Sequence, residues 1–151
     1  MTLIDMGQDS AGAEVFNNIS DTYGGTVFAA KSKLELGIMQ MVAKQYGAAE
    51  SYFGDLAANR TDDIGAKAQY YLGVSAFDQG NYTEAITALV RVRTIFPSYE
   101  EWVVKSYMKM GECYLKLKDN KKAKEMYRIV YTKHRGDPFG DEARKKLRAI
   151  K

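Results

Sequence analysis

The sequence predicts an all-α fold, an α-solenoid of antiparallel helix hairpins, on three observations. Apolar residues recur at helical spacing almost throughout the 151 residues, and no run alternates as a half-buried strand does. Three times a Leu-Gly or Met-Gly pair is followed, twelve residues after its glycine, by an alanine that opens an Ala-x-x-x-aromatic/Leu unit. The sets are Leu36-Gly37 with Ala49 and Phe53, Leu72-Gly73 with Ala85 and Leu89, and Met110-Gly111 with Ala123 and Tyr127. The glycines lie 36 and 38 residues apart, a period at which small units stack with no single active centre.

Turn chemistry sets the element boundaries in order. A short helix is expected at about 11–22, and Gly24-Gly25-Thr26 precedes a helix of about 28–45. Tyr46-Gly47 reads as a tight corner before a helix of about 47–59. Asn59-Arg60-Thr61-Asp62-Asp63 supplies caps for a helix of about 63–79, and Gln79-Gly80-Asn81 is the next turn. Asn81-Tyr-Thr-Glu84 has the form of a capping box and opens a helix of about 82–95. Phe96-Pro97-Ser98 ends it, and a second box, Ser98-Tyr-Glu-Glu101, opens a helix of about 99–117. Lys118-Asp119-Asn120 turns into a helix of about 121–134. Gly136-Asp137-Pro138 gives a stop, a cap and a first-turn proline before a charged last helix of about 139–150. Eight helices are expected in one domain, with hairpin units at about 28–60, 63–97 and 99–135 and a capping helix at about 139–150.

A glycine inside a helix costs about 1 kcal/mol relative to alanine. Accepting that cost at Gly37, Gly73 and Gly111 implies a packing demand. The missing side chain lets the paired helix approach, and Ala49, Ala85 and Ala123 are expected across the hairpin at the same crossing. Phe53, Leu89 and Tyr127 are expected to fill the space beside it.

Composition bounds the function. With 46% apolar residues, 27% charged residues and two prolines, the chain has the material of an ordinary soluble domain, and no stretch reaches the roughly 18 apolar residues of a membrane span. Met1-Thr-Leu-Ile-Asp-Met lacks the basic and apolar regions of a signal peptide. Residues 1–104 carry seven basic and thirteen acidic residues, while 105–151 carry fifteen basic and six acidic, so the C-terminal third is basic. Cys113 cannot form an internal disulfide and reads as a small buried apolar residue.

The Gly/Ala framework resembles the tetratricopeptide repeat, whose pattern is an aromatic, Leu-Gly, an aromatic, Ala-x-x-x-Phe and a late proline. The resemblance covers about residues 30–135. Gly12-x-x-x-Phe16, with Ile19 and Tyr23, reads as the second helix of an earlier unit, as if the chain began inside a longer array. The first aromatic position holds Lys33, Gln69 and Tyr107, the second holds Gln40, Ala76 and Tyr114, and the proline survives only as Pro97. The longer units, with Ala68-Gln-Tyr-Tyr-Leu-Gly73, Gly80-Asn-Tyr-Thr-Glu-Ala85 and Asp137-Pro-Phe-Gly-Asp-Glu-Ala143, resemble bacterial envelope proteins of the Tol–Pal accessory and outer-membrane assembly lipoprotein groups. That resemblance implies the periplasm or envelope, while the residues themselves leave the cytoplasm open.

The resemblance implies that the first helix of each hairpin lines a concave groove holding a partner segment. In register, the groove positions are Lys31, Leu34, Glu35, Ile38 and Met41, then Lys67, Tyr70, Tyr71, Val74 and Phe77, then Lys105, Met108, Lys109, Glu112 and Leu115. An apolar lane with a row of lysines suits an amphipathic helix or an extended peptide carrying some acid. Lys105 and Lys109 match two basic positions of the family's clamp for a C-terminal carboxylate, but Leu34, Ile38 and Tyr71 replace its other members, so that clamp is incomplete.

The expected function is therefore a non-catalytic scaffold that binds a protein or peptide segment, or an architectural piece of a longer solenoid that meets other units of its own kind. A less favoured reading is a basic C-terminal patch for nucleic acid or anionic lipid: Lys116, Lys118, Lys121, Lys122 and Lys124 cluster at one turn, but they read first as a solvated surface. One cysteine, one histidine and no phosphate loop or metal-ligand spacing leave nothing to assemble a catalytic centre, a metal site or a cofactor site. Asp62-Asp63 and Glu100-Glu101 sit at helix starts, where carboxylates stabilise the dipole.

Overall fold

The computed structural model describes residues 11, 12, 14, 15, 17, 18 and 26–151. From residue 26 onward seven helices follow one another: α1 (Val27–Val42), α2 (Tyr46–Asn59), α3 (Asp63–Asp78), α4 (Tyr82–Ile95), α5 (Glu100–Lys116), α6 (Asn120–Lys133) and α7 (Pro138–Ala149). No strand occurs among the described residues, and the architecture is the all-helical repeat of the solenoid class. Residues 11, 12, 14, 15, 17 and 18 are helical, whereas Phe16, Ile19 and Tyr23 of the expected N-terminal half-unit lie outside the described residues. Two compact units form, one ending at Tyr71 and the other beginning at Leu72, within α3.

The hairpin turns are built by the main chain. Lys44 and Lys118 take a left-handed φ of 60°, and Gly80 takes 81°. Each lies seven residues beyond its repeat glycine. At each turn the next N–H reaches back five residues: Gln45 to Gln40 O at 2.8 Å, Asn81 to Ala76 O at 2.9 Å and Asp119 to Tyr114 O at 2.8 Å. The left-handed residue itself donates three residues back, to Met41, Phe77 and Leu115. Together these bonds satisfy the orphan carbonyls of the first helix in a Schellman motif. They also correct the first corner, which falls at Ala43–Gln45 and not at Tyr46-Gly47, ending α1 at Val42.

At four helix starts a side chain caps the main chain. Thr26 accepts from Ala29 N at 3.2 Å, Asp62 from Gly65 N at 3.2 Å and Asp119 from Lys122 N at 3.0 Å. Asp137 accepts from Phe139 N at 2.8 Å and Gly140 N at 3.1 Å, with Pro138 in the first turn as expected. The two capping boxes do not form. Asn81 makes no side-chain cap bond. The α5 cap position is Tyr99, whose carbonyl receives Trp102 N and Val103 N, so Ser98 stands one residue too early.

The repeat glycines lie under large side chains. A Cβ on Gly37 would stand 2.5 Å from Phe53, one on Gly73 2.5 Å from Leu89, and one on Gly111 2.5 Å from Tyr127. Side chains are the nearest neighbours at all three, and at Gly73 a main-chain atom, Ala85 O at 3.3 Å, also comes near. Helical side chains lean toward the N-terminus of their own helix, so the residue one turn beyond each alanine swings back over the glycine instead of beside it. Ala49, Ala85, Ala123, Phe53, Leu89 and Tyr127 are all fully buried. Burying side chains of the size of Leu89 and Phe53 stabilises the fold by roughly 1.5–3 kcal/mol each.

In the unit that begins at Leu72, α5 packs on α4 and α6, and α6 packs on α7. Val104, Met108, Ala123, Tyr127, Val130 and Ala143 form one core there. Gly140 brings the first turn of α7 onto the end of α6 so closely that a Cβ would stand 1.8 Å from the carbonyl oxygen of His134. His134 Nδ1 and Asp137 Oδ2, 2.7 Å apart, fix the same junction.

Candidate functional site

The sequence-derived groove positions fall into two sets, one in each unit. In the first unit, Lys31 is exposed, Ile38 and Met41 are half-buried, and Leu34 is buried in the core. Lys67 lies 3.9 Å from the Glu35 carboxylate and 6.0 Å from the centre of the Tyr71 ring. Tyr71 stacks on Phe53 at 5.4 Å, and Tyr70 meets Tyr71 edge-on at 5.6 Å. The tyrosines expected to face a partner are thus built into an aromatic cluster, and Leu34 is a packing residue.

In the second unit the positions converge on a cluster of charges. Glu112 receives Lys109 Nζ at 2.7 Å and Lys146 Nζ at 2.9 Å, so α5 is tied to α7 across 34 residues of sequence. Burial pushes the Glu112 carboxyl up, but the hydrogen bonds from Lys109 and Lys146 outweigh it and hold it below the usual glutamate range. Lys109 also lies 4.6 Å over the Phe77 ring, which in turn meets Tyr82 edge-on at 5.4 Å. Lys105 stands apart from this cluster: it pairs with Glu101 at 2.5 Å and covers the Trp102 ring at 4.4 Å. Val74 is half-buried, and Met108 belongs to the core.

Around this cluster lies a concavity of about 590 Å³, with Phe77, Glu112, Leu115, Tyr127, Lys146 and Ile150 in its walls. Three of the expected positions, Phe77, Glu112 and Leu115, meet there, and Lys109 touches two of them. The sequence reading missed Lys146, Ile150 and Tyr127 as site residues. A signal existed: Lys109 and Lys146 are 37 residues apart, within the repeat period. Tyr127 contributes its ring to the wall, and its buried hydroxyl has no hydrogen-bond partner among the described residues. Burial, reinforced by the Glu112 charge, pushes the phenol up, so it stays protonated and able to donate.

The remaining chemically capable groups are structural. Cys113 is fully buried, and burial pushes its thiol up to about 11, far from the low pKa that a nucleophilic cysteine needs. His134 is engaged with Asp137, whose carboxyl is held below the usual range by the Gly140 N–H and then by His134. Among the described residues no group of three His, Cys, Asp or Glu could hold a metal ion, and no described helix is long and apolar enough to cross a membrane.

Comparison with known proteins supports the same organisation. The family model described as Tetratricopeptide repeat matches residues 67–99 and 105–136. No curated protein sequence matches the chain. A crystal structure of nearly identical TPR-like repeats from a candidate kinesin light chain of Podosopora anserina superposes with a TM-score of 0.69 at 17% identity, covering 95% of this chain and 77% of that one. The crystal structure of MamA superposes with a TM-score of 0.63 at 20% identity, covering 98% of this chain and 92% of that one. At these identities the likeness is one of fold.

Proposed function

We propose, from the premise that residues 67–136 carry tetratricopeptide repeats, that the chain is a non-catalytic scaffold whose concavity at Phe77, Glu112 and Leu115 receives a peptide or helix of a partner protein. One observation carries this reading. Apolar walls from Phe77, Leu115 and Ile150 surround a carboxylate already neutralised by two lysines. An apolar side chain of the partner fills the space, and a carboxylate beside it finds Lys109 and Lys146.

The test is a photo-crosslinking amino acid placed at Leu115, with pull-down from the chain's own host. A single partner crosslinked there, and lost in a folded Phe77→Ala plus Leu115→Asp variant, is the expected result. Equal recovery by that variant would remove the concavity from the function. The envelope setting rests on the sequence phrases around Gly73, Gly80 and Asp137, and recovery of the native protein in the cytoplasmic fraction of its host would end it.

A second reading, an architectural segment of a longer solenoid, is favoured by the first turn of α1. Val27 is 51% exposed and Phe28 73% exposed, an apolar edge of the kind a neighbouring unit covers. Light scattering of the chain with and without residues 1–25 bears on it, and a monomer in both forms speaks against it.

A further inference from the structure

His134, the one histidine of the chain, stands where three helix ends meet. It closes α6, and its side chain is 10% exposed. Nδ1 lies 2.7 Å from Asp137 Oδ2, and the other oxygen of that carboxylate caps the first turn of α7. Nε2 lies 3.5 Å from Glu100 Oε1 at the start of α5, and it is sealed from solvent with no hydrogen-bond partner. Each ring nitrogen therefore faces a carboxylate from a different helix end. A neutral imidazole carries one N–H and one lone pair, and only the imidazolium carries two N–H groups. In the neutral ring, whichever tautomer forms, one lone pair is turned on a carboxylate. The charged ring serves both, at a helix C-terminus where the dipole favours a cation. Two further charges stand at the junction: Lys133 lies 4.0 Å from Glu100, and Arg135 lies 5.4 Å over the Tyr131 ring. Lysine and arginine hold their charge across the histidine range, so neither switches.

We propose that His134 is a proton-operated clasp for α7. With a proton on each ring nitrogen, it joins the start of α5 and the cap of α7 to the end of α6. When one proton leaves, one of the two ties goes with it, and α7 is held less firmly. The tie is complete where histidine carries its charge, and it is lost as pH rises through the histidine range, between about pH 5 and 8. With one histidine in the chain and the Cys113 thiol pushed up to about 11, neither a second imidazole nor the thiol changes charge in that window. α7 has few other anchors. Only Gly140 and Ala143 of its twelve residues are buried, and Lys146 supplies its ion pair to α5. This helix and its end carry Lys146 and Ile150 into the wall of the concavity, so the clasp sets how firmly that wall stands, whether or not a partner fills it.

The experiment is amide hydrogen exchange of the full chain at about pH 5.5 and pH 8, corrected for the intrinsic dependence of exchange on pH. Amides of α7 between Glu142 and Leu147 should be about fivefold better protected at the lower pH, as expected when a hydrogen bond gains a charged partner. Amides of α1 should show no such difference. His134→Gln should abolish it. Glu100→Gln leaves the Asp137 contact in place and should cut the difference to about twofold, which keeps the clasp testable should His134→Gln fail to fold. Protection of α7 that is equal at both pH values, or higher at pH 8, would overturn the proposal. So would a difference that survives in His134→Gln, or one that is undiminished in Glu100→Gln.

Discussion

The ring of Tyr127 rests on the bare Cα of Gly111, so that a Cβ there would stand 2.5 Å from both Cε1 and Cζ of the ring. The same relationship joins Gly37 to Phe53 and Gly73 to Leu89, and it is the contact that each hairpin is built around. Gly111→Ala gains about 1 kcal/mol of helix propensity and loses about 1–3 kcal/mol to overpacking. The expected net effect is destabilisation of about 1 kcal/mol. In a Tyr127→Ala background the same change should be neutral or stabilising. Urea unfolding of the four proteins of this cycle measures the coupling, and simple additivity would show that the ring does not demand the glycine.

Lys44 and Lys118 hold a conformation that Gly80 adopts at no steric cost. A left-handed φ costs an L-residue about 1–2 kcal/mol, and glycine returns about 0.4–1 kcal/mol of that through the unfolded chain. Lys44→Gly and Lys118→Gly should each raise stability by about 0.5–1 kcal/mol, and Gly80→Ala should lower it by a similar amount. Shifts of the urea midpoint at constant m-value report this. A loss of stability in either glycine variant would mean that the lysine side chain contributes more than its backbone costs.

Gly140 faces main chain, not a side chain that can move. Gly140→Ala should cost about 2–3 kcal/mol, at the upper end of overpacking penalties. It should do so by lifting α7, which exposes Ala143 and opens the segment between Lys133 and Pro138. Limited proteolysis at low protease concentration is expected to cut there first, and a cleavage pattern identical to wild type would contradict that account.

The acid response follows from Glu112, whose carboxyl lies below its usual range in the folded chain. The unfolded chain then binds that proton more readily than the folded one, so stability rises with pH through this window. The contribution is complete above the ordinary glutamate value near 4.3 and is lost as pH falls through the lower folded value. Asp62, held low by the Arg60 hydrogen bond, and Asp119, held low by the Lys122 N–H, act in the same direction. Thermal unfolding at pH 3 and pH 6 should differ less for Glu112→Gln than for wild type. An equal difference would assign the acid lability to the other carboxylates.

The fold was legible because small residues at a fixed period have few explanations: Gly37, Gly73 and Gly111 with Ala49, Ala85 and Ala123 place both helices of each hairpin. Asp137 and Pro138 were equally plain, since cap and first-turn chemistry are local. The turns at Lys44 and Lys118 were not, because lysine has no left-handed preference and the bonds that hold it there are main-chain bonds. The capping boxes misled: Asn81 makes no side-chain cap bond, and the cap position of α5 is Tyr99, one residue beyond Ser98. Of the site, Phe77, Glu112 and Leu115 could be read from register, but the burial of Leu34 and Met108 depends on neighbouring helices. Lys146 and the unpartnered Tyr127 hydroxyl are visible only when α7 is in place.

Cys113 gives the molecule an internal clock. Its sulfur is sealed in the core and its thiol is pushed up to about 11, so an alkylating reagent at pH 8 meets almost no thiolate in closed molecules. Each labelling event therefore records one opening of α5 from its neighbours. With a single thiol in the chain, the rate counts openings at one address. A partner that holds the helices together would slow that clock by the factor by which it suppresses opening, whether or not the partner has been identified.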